Sequence, residues 1–276
     1  MPIITLTTDF GIKDHFVGAI KGAIYSEIEE VSIVDISHQV SPFNIQEAAY
    51  IIQNAYKSFP KGSIHIIGVD SELNPENKHI AVYLNEHYFI AADNGIISFL
   101  IAEYNPEKIV EINIHDKIES VFPVLDVFVK AAGHIARGGT LEVIGKKITQ
   151  LKPIKELAPI INNDKTQISG SVIYIDNYGN VITNITKKLF KSLHNGRNFE
   201  LYARNHKFNV IFNKYSDAVN FNIEKNIRDD DGKKLAIFNS GGHIELAIYK
   251  SNLDTVGGAS TLLGLDYRDT ITINFL

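Results

Sequence analysis

In the first half of the chain, short apolar runs alternate with longer stretches in which apolar residues recur every three or four positions. The run from Ile3 to Thr8 is typical of a buried strand, and beyond the turn Asp9-Phe10-Gly11 a helical pattern begins near Asp14. A second strand over 31–36 and a second helix, with Asn44 placed as its N-cap, repeat this succession. Strands that alternate with helices predict an α/β domain with a mostly parallel sheet, a class that places ligands at the carboxyl ends of its strands.

The remainder of this domain, which we place at residues 1–150, adds more strands and another helix. The helix is expected to open at Asp126 and to close at Gly138-Gly139. A hairpin is expected to turn at Asn85-Glu86. In order, the strands are predicted at 64–69, 80–84, 88–92 and 109–112.

A linker and a second domain are predicted in the second half of the chain. The periodicity fades between Lys146 and Lys165, in a stretch that contains Pro153 and Pro159, and we place the linker at 151–165. Residues 166–276 read as a smaller all-β domain, a small barrel or sandwich, because short β-rich runs are separated by tight turns. These runs are 167–175, 181–185, 199–202, 208–212, 235–238, 244–248 and 270–274.

Composition narrows the possible partners and compartment. The net charge is -5, and Lys and Arg form no run that would neutralise a track of phosphates, so nucleic acid is not an expected partner. The chain has no cysteine, which excludes disulfides and thiolate metal sites and is typical of a reducing compartment, so we expect a cytoplasmic protein. Asp9 interrupts the first apolar run, and no signal or membrane segment is predicted.

Aspartates follow several predicted strands. Asp9 and Asp70 come directly after the first and third strands, where a carboxylate can accept both hydroxyls of a ribose, although Asp9 is also placed to cap the next helix. Asp176 ends a strand just after the linker, where a turn aspartate is the simpler interpretation. Asp35 and His38 offer a carboxylate and an imidazole, but no matching ligand pair accompanies them, so no metal site is predicted.

A series of short segments forms a more specific signal than any one of them. In order and spacing they resemble the S-adenosylmethionine hydroxide adenosyltransferase family, which also contains the fluorinases and chlorinases. The resemblance covers nearly the whole chain. The segments are Thr8-Asp9-Phe10-Gly11 with Asp14 and Val17-Gly18, Val34-Asp35-Ile36-Ser37-His38 with Ser41-Pro42-Phe43, Gly68-Val69-Asp70, Ala92-Asp93-Asn94-Gly95, Phe122 with Asp126 and Phe128, Asp176 to Ile185, and Asn239-Ser240.

The resemblance implies an adenosyl ligand, S-adenosylmethionine or adenosine, and a homotrimer. In that family the ligand lies between the N-terminal domain of one subunit and the C-terminal domain of the next. Carried over by position, Asp9 would hold the ribose hydroxyls and Phe43 would line the nucleoside pocket.

The resemblance also implies contacts from the second domain. Asp176 and Asn180 match the pair that contacts the adenosyl and methionine parts of the ligand, and Ser240 falls near the methionine carboxylate. An aromatic residue between Phe212 and Tyr215 would cover the adenine, and which residue does so stays open at this point.

The family reaction is displacement at the ribose C5′ of S-adenosylmethionine, with methionine leaving and hydroxide or a halide entering. No cofactor is expected, since S-adenosylmethionine is the substrate. In the hydrolases an Asp, an Arg and a His position the hydroxide. Asp70 matches the aspartate, but Asn77 and Pro123 stand at the positions of the arginine and histidine. Lys78, one position on from Asn77, is either a substitute cation or a surface residue.

These departures leave three functions open. Hydrolysis of S-adenosylmethionine to adenosine and methionine follows from the resemblance, with Asp70 as the catalytic residue. A catalytically weak or silent adenosyl-binding protein follows from the missing arginine and histidine. Displacement at C5′ by another nucleophile is the third, and halogenation is the least favoured because Val124 offers no hydroxyl where the halogenases place one.

Overall fold

The chain divides into two compact units in a computed structural model, Met1–Lys155 and Glu156–Leu276. The structure describes residues 1–101, 105–114, 120–153, 158–228 and 232–276, so part of the predicted linker, residues 154–157, lies outside the described residues. Each unit is built on its own β-sheet, which confirms a mixed α/β protein.

A seven-stranded sheet forms the first unit, in the order β2-β1-β3-β5-β4-β6-β7. Strands β2, β1, β3, β5 and β6 run in one direction and β4 and β7 run in the other, so the sheet is mostly parallel, as predicted. The strands are β1 Ile3–Thr8, β2 Ser32–Ser37, β3 Ile64–Gly68, β4 His79–Leu84, β5 His87–Ala92, β6 Lys108–Ile112 and β7 Gly145–Lys147.

Helices cover both faces of this sheet because side chains alternate along its strands. On β3, Ile64 and Ile66 join one core with helices α1 and α4, whereas Ile67 joins a second core with α2 and α3. The helices are α1 Phe16–Glu27, α2 Ile45–Ala55, α3 Ile96–Leu100, α4 Val129–Ala136 and α5 Leu141–Ile144.

Local sequence signals fix several of these elements. Asn44 caps α2, since its Oδ1 accepts the amide of Glu47 at 3.1 Å, as predicted. Asn85 and Glu86 have φ angles of 51° and 64°, the left-handed pair that a two-residue hairpin requires. The helix predicted from Asp126 begins earlier, with a π-helical turn over Val124–Phe128 that leads into α4.

The second unit is built on a nine-stranded, mostly antiparallel sheet. The run 208–212, predicted as one strand, forms two separate strands that pair with different neighbours. The strands are β8 Ile160–Ile161, β9 Gln167–Ile175, β10 Val181–Thr186, β11 Phe199–Ala203, β12 His206–Phe208, β13 Ile211–Phe212, β14 Lys234–Phe238, β15 His243–Ile248 and β16 Thr270–Phe275.

The prediction of an all-β second unit is wrong in one respect, because helices interrupt the strands within its described residues: α6 Lys187–His194 and α7 Ala259–Leu262. Thr186 caps α6 by accepting the amide of Leu189 at 3.1 Å, and Phe190 and Leu193 pack into the core. The helix ends at Asn195, which is left-handed with a φ of 43°. Among the described residues, no helix is long and apolar enough to cross a membrane.

Candidate functional site

Asp9 and Asp70 come to the same edge of the first sheet. Strands β1 and β3 are parallel neighbours with Thr8 opposite Gly68, so the residues that follow both strands leave the sheet side by side. The backbone amide of Asp9 lies 3.4 Å from the carbonyl oxygen of Gly68. Two carboxylates at neighbouring strand ends give this edge the acceptors that a nucleoside hydroxyl or a water molecule needs.

The carboxylate of Asp9 fixes the segment before α2. Its Oδ2 accepts the backbone amide of Phe43 at 2.9 Å. Phe43 has a left-handed φ of 62°, and its side chain is 73% exposed. The interpretation of Asp9 as a helix cap is wrong, because the N-cap residue of α1 is His15. The bond instead holds the backbone of Phe43 beside the Asp9 carboxylate.

Asn94 holds the loop that follows β3. Its Nδ2 donates to the carbonyl oxygens of Val69 and Asp70 at 3.0 and 3.1 Å, and its Oδ1 accepts the amide of Ile96 at 3.1 Å. Asp70 is held in a left-handed conformation with a φ of 45°. Asn94 belongs to the segment Ala92-Asp93-Asn94-Gly95, but the sequence alone predicted no role for it.

Gly68 allows the π-helical turn at 124–128, which precedes α4, to approach the end of β3 closely. A Cβ at this position would lie 2.9 Å from Val124 Cγ2, 3.2 Å from Thr8 Cγ2 and 3.3 Å from Phe10 Cε2. Val124 is fully buried there, so its side chain serves in packing.

Asn77, which the resemblance aligns with the family arginine, accepts a hydrogen bond from a lysine. The Nζ of Lys152 donates to Asn77 Oδ1 at 2.9 Å, whereas Lys78 is exposed. Lys152 is anchored through its main chain, since its amide donates to Asp93 Oδ1 and Oδ2 at 3.0 and 3.2 Å. Burial raises the pKa of the Asp93 carboxyl, and the amide and the charge of Lys152 oppose that rise.

Pro123 is buried and begins the π-helical turn at 124–128. The preceding Phe122 packs its ring edge-on against Phe10 and Phe16, with ring centroids 5.5 and 5.3 Å apart. Pro123, which the resemblance aligns with the family histidine, therefore starts a helix beside an aromatic cluster.

Asp35 and His38 lie on the other side of β1. His38 Nδ1 is 2.8 Å from Thr8 Oγ1, and its Nε2 is 3.1 Å from Asp35 Oδ1. Burial raises the pKa of Asp35, but hydrogen bonds from Lys21 and His38 outweigh it and leave the pKa below its usual value. Within the described parts of the chain, no group of three potential metal ligands occurs.

In the second unit, Asp176 and Asn180 close the turn between β9 and β10. Asp176 Oδ1 accepts the amides of Tyr178 and Asn180, both at 2.9 Å, and its Oδ2 accepts Asn180 Nδ2 at 3.0 Å. Asp176 is thus a turn aspartate, the simpler of the two interpretations, and its carboxylate keeps lone pairs for a further donor. Gly179, with a φ of 75°, allows the turn to pack against Gly258.

Glu245, which the sequence did not single out, is a buried carboxylate on β15. Burial raises the pKa of its carboxyl, while a hydrogen bond from the Tyr215 hydroxyl lowers it and the charge of Asp176 raises it. The exposed Ser240 lies in the adjacent turn, where Asn239 Oδ1 accepts the amide of His243 at 3.0 Å. The sequence of β15 carries no signal that marks its glutamate as buried.

Sequence comparison supports the resemblance across both units. The chain matches the model of the SAM (S-adenosylmethionine) hydroxide adenosyltransferase N-terminal domain at residues 4–145 and that of the C-terminal domain at residues 170–272. It is 29% identical to the (R)-S-adenosyl-L-methionine hydrolase of Methanocaldococcus jannaschii over 99% of this chain and 96% of that protein. It is 23% identical to the fluorinase of Actinopolyspora mzabensis over 69% of this chain and 74% of that enzyme.

Solved structures share the fold. A conserved protein from Thermotoga maritima superposes with a TM-score of 0.82 at 28% identity and covers 99% of both chains. A conserved protein from Thermus thermophilus superposes with a TM-score of 0.72 at 20% identity over the full length of both chains. With both family models matched over most of its length, the chain belongs to the S-adenosylmethionine hydroxide adenosyltransferase family.

Proposed function

We propose that this protein binds S-adenosylmethionine and hydrolyses it to adenosine and methionine. Family membership supports this proposal. The M. jannaschii relative, which aligns over 99% of this chain, is named an (R)-S-adenosyl-L-methionine hydrolase. The (R) epimer of S-adenosylmethionine is therefore the first substrate to test.

The observation that carries this proposal is the pair of carboxylates at the ends of β1 and β3. Asp9 already holds Phe43 through one oxygen and has acceptor capacity for the ribose hydroxyls through the rest of its carboxylate. Asp70, at the end of the parallel neighbour, is the proposed acceptor for the attacking water. One carboxylate then orients the sugar while the other orients the nucleophile.

In the proposed reaction the protein forms no covalent bond to the substrate. The oxygen of water forms a bond to C5′ as the bond from C5′ to sulfur breaks, and the electron pair of that bond stays on the sulfur of methionine. The positive charge of the sulfonium is neutralised, and the proton lost by water passes through Asp70 to solvent. Asp70 raises the rate by holding the water in line with the leaving sulfur.

Chromatography of adenosine and methionine after incubation with each epimer of S-adenosylmethionine tests this proposal. We expect release from the natural protein and a loss of at least about a hundredfold in rate for Asp70→Ala. Glu72→Ala is a matched control, because Glu72 is an exposed acidic residue in the same loop. Equal rates in Asp70→Ala and the natural protein would remove Asp70 from the mechanism.

A second candidate, a binding protein without turnover, is favoured by Asn77 and the buried Pro123, which replace an arginine and a histidine. Calorimetry with adenosine separates the two functions. Tight binding with no product from either epimer would establish the binding protein and exclude the hydrolase.

A further inference from the structure

We propose that Lys152 supplies the cation that stabilises the attacking hydroxide, in place of an arginine at position 77. This inference rests on the proposed hydrolysis and concerns the same site. It assigns a function to a residue outside every segment on which the family resemblance was based.

Lys152 is held in place by hydrogen bonds of both its side chain and its main chain. Its Nζ donates to Asn77 Oδ1 at 2.9 Å, and its amide donates to the Asp93 carboxylate. Its carbonyl oxygen accepts the hydroxyl of Ser98 at 2.7 Å. A half-buried lysine fixed at three points has lost most of the freedom that lets a surface lysine turn away into solvent.

A short network links this lysine to the loop of Asp70. Asp93, which holds the Lys152 amide, is followed by Asn94, whose Nδ2 donates to the carbonyl oxygen of Asp70 at 3.1 Å. From the other side, Asn77 belongs to the loop that begins at Asp70. Asn74 Oδ1 shapes that loop by accepting the amide of Asn77 at 2.9 Å.

Electrostatics explains why a cation is needed at this place. Water is a poor nucleophile at neutral pH, and a nearby positive charge favours its deprotonated form. The amide of Asn77 has no charge, but its oxygen directs the ammonium of Lys152. The fold thereby brings a positive charge to Asn77 from a residue 75 positions away in sequence.

Lys152→Met tests the inference, since methionine keeps the unbranched side chain to within one heavy atom, without its charge, and the backbone bonds to Asp93 and Ser98 remain. We expect kcat for the release of adenosine to fall on the order of a hundredfold with KM little changed. The rise of kcat with pH should move to higher pH, because the water loses its stabilising charge. Lys152→Arg should retain most of the activity.

Moving the charge gives a sharper test. Adding Asn77→Arg to Lys152→Met should restore part of the lost kcat, because the guanidinium then replaces the ammonium. Lys78→Met, which removes an exposed charge next to Asn77, should leave kcat unchanged. Circular dichroism confirms that each variant is folded.

The outcomes separate this inference from the proposed hydrolysis. A natural protein that hydrolyses S-adenosylmethionine and a Lys152→Met variant with the same kcat and pH profile would overturn the role of Lys152 and leave the hydrolysis standing. A natural protein that binds adenosine without turning over either epimer would overturn both.

Discussion

At the scale of single residues, the interior of the first unit contains a polar chain apart from the candidate site. His65 Nδ1 lies 2.7 Å from Thr5 Oγ1, and His65 Nε2 lies 3.1 Å from His87 Nδ1. Tyr56 packs edge-on against His87 with ring centroids 5.3 Å apart. Burial, with a smaller contribution from the charge of His87, lowers the pKa of His65 to about 3. His65 is therefore neutral in the folded protein at every pH at which the protein is expected to work.

This buried histidine makes the stability of the first unit depend on pH. In the unfolded chain the pKa of His65 lies near the ordinary histidine value of 6.5, whereas in the folded protein burial lowers that pKa to about 3. Its contribution to the free energy of unfolding is complete above pH 6.5 and is lost progressively as the pH falls toward 3.

Thermal unfolding followed between pH 7 and pH 4 measures this contribution. We expect the melting temperature of the natural protein to fall more steeply with acidification than that of His65→Gln, which has no proton to gain there. His15→Gln is the control, because His15 is exposed and its loss should leave the slope unchanged. Identical slopes in His65→Gln and the natural protein would contradict the assignment.

At the scale of elements, the strands and turns that rest on local signals could be predicted, and those that rest on tertiary contacts could not. The strand at 3–8, the cap at Asn44 and the hairpin turn at 85–86 match the sequence pattern directly. Helix α6 was missed because its short apolar pattern lies between strands, although Thr186 caps its start and Phe190 packs into the core. The run 208–212 reads as one strand, yet its two ends pair with different neighbours.

Gly68, at the end of β3, is a single residue whose small size is required by its tertiary contacts. Alanine at this position would place a Cβ against Val124, Thr8 and Phe10, and overpacking of this kind costs about 1–3 kcal/mol. We expect Gly68→Ala to lower the free energy of unfolding in urea by that amount. Gly22→Ala is the matched control, since Gly22 lies in α1 with open space around it and alanine should stabilise the helix by about 0.5–1 kcal/mol. If Gly68→Ala were as stable as the natural protein, the π-helical turn at 124–128 would be able to shift away from β3 at no cost in stability.

At the scale of the whole molecule, the order of motifs along the chain predicted the family, while the pattern of charges around the site could not be predicted. Family membership rests on segments in both units, and both family models match. The resemblance pointed to an arginine position at Asn77, but the sequence could not point to Lys152, because Lys152 meets Asn77 only through the fold. The exposed Lys78, next in sequence, was the natural candidate and does not make that contact.

We propose that the working molecule is a homotrimer whose adenosyl sites require neighbouring subunits. Its support is the resemblance to a family in which each ligand lies between two subunits. Light scattering coupled to size exclusion should give a mass about three times the 30.8 kDa of one chain. Dilution or mild denaturant that separates the subunits should abolish adenosine binding in calorimetry before the secondary structure is lost, because a single subunit would then offer only part of each site. A monodisperse species at the mass of one chain that binds adenosine tightly would refute the trimer and place every ligand contact within a single chain.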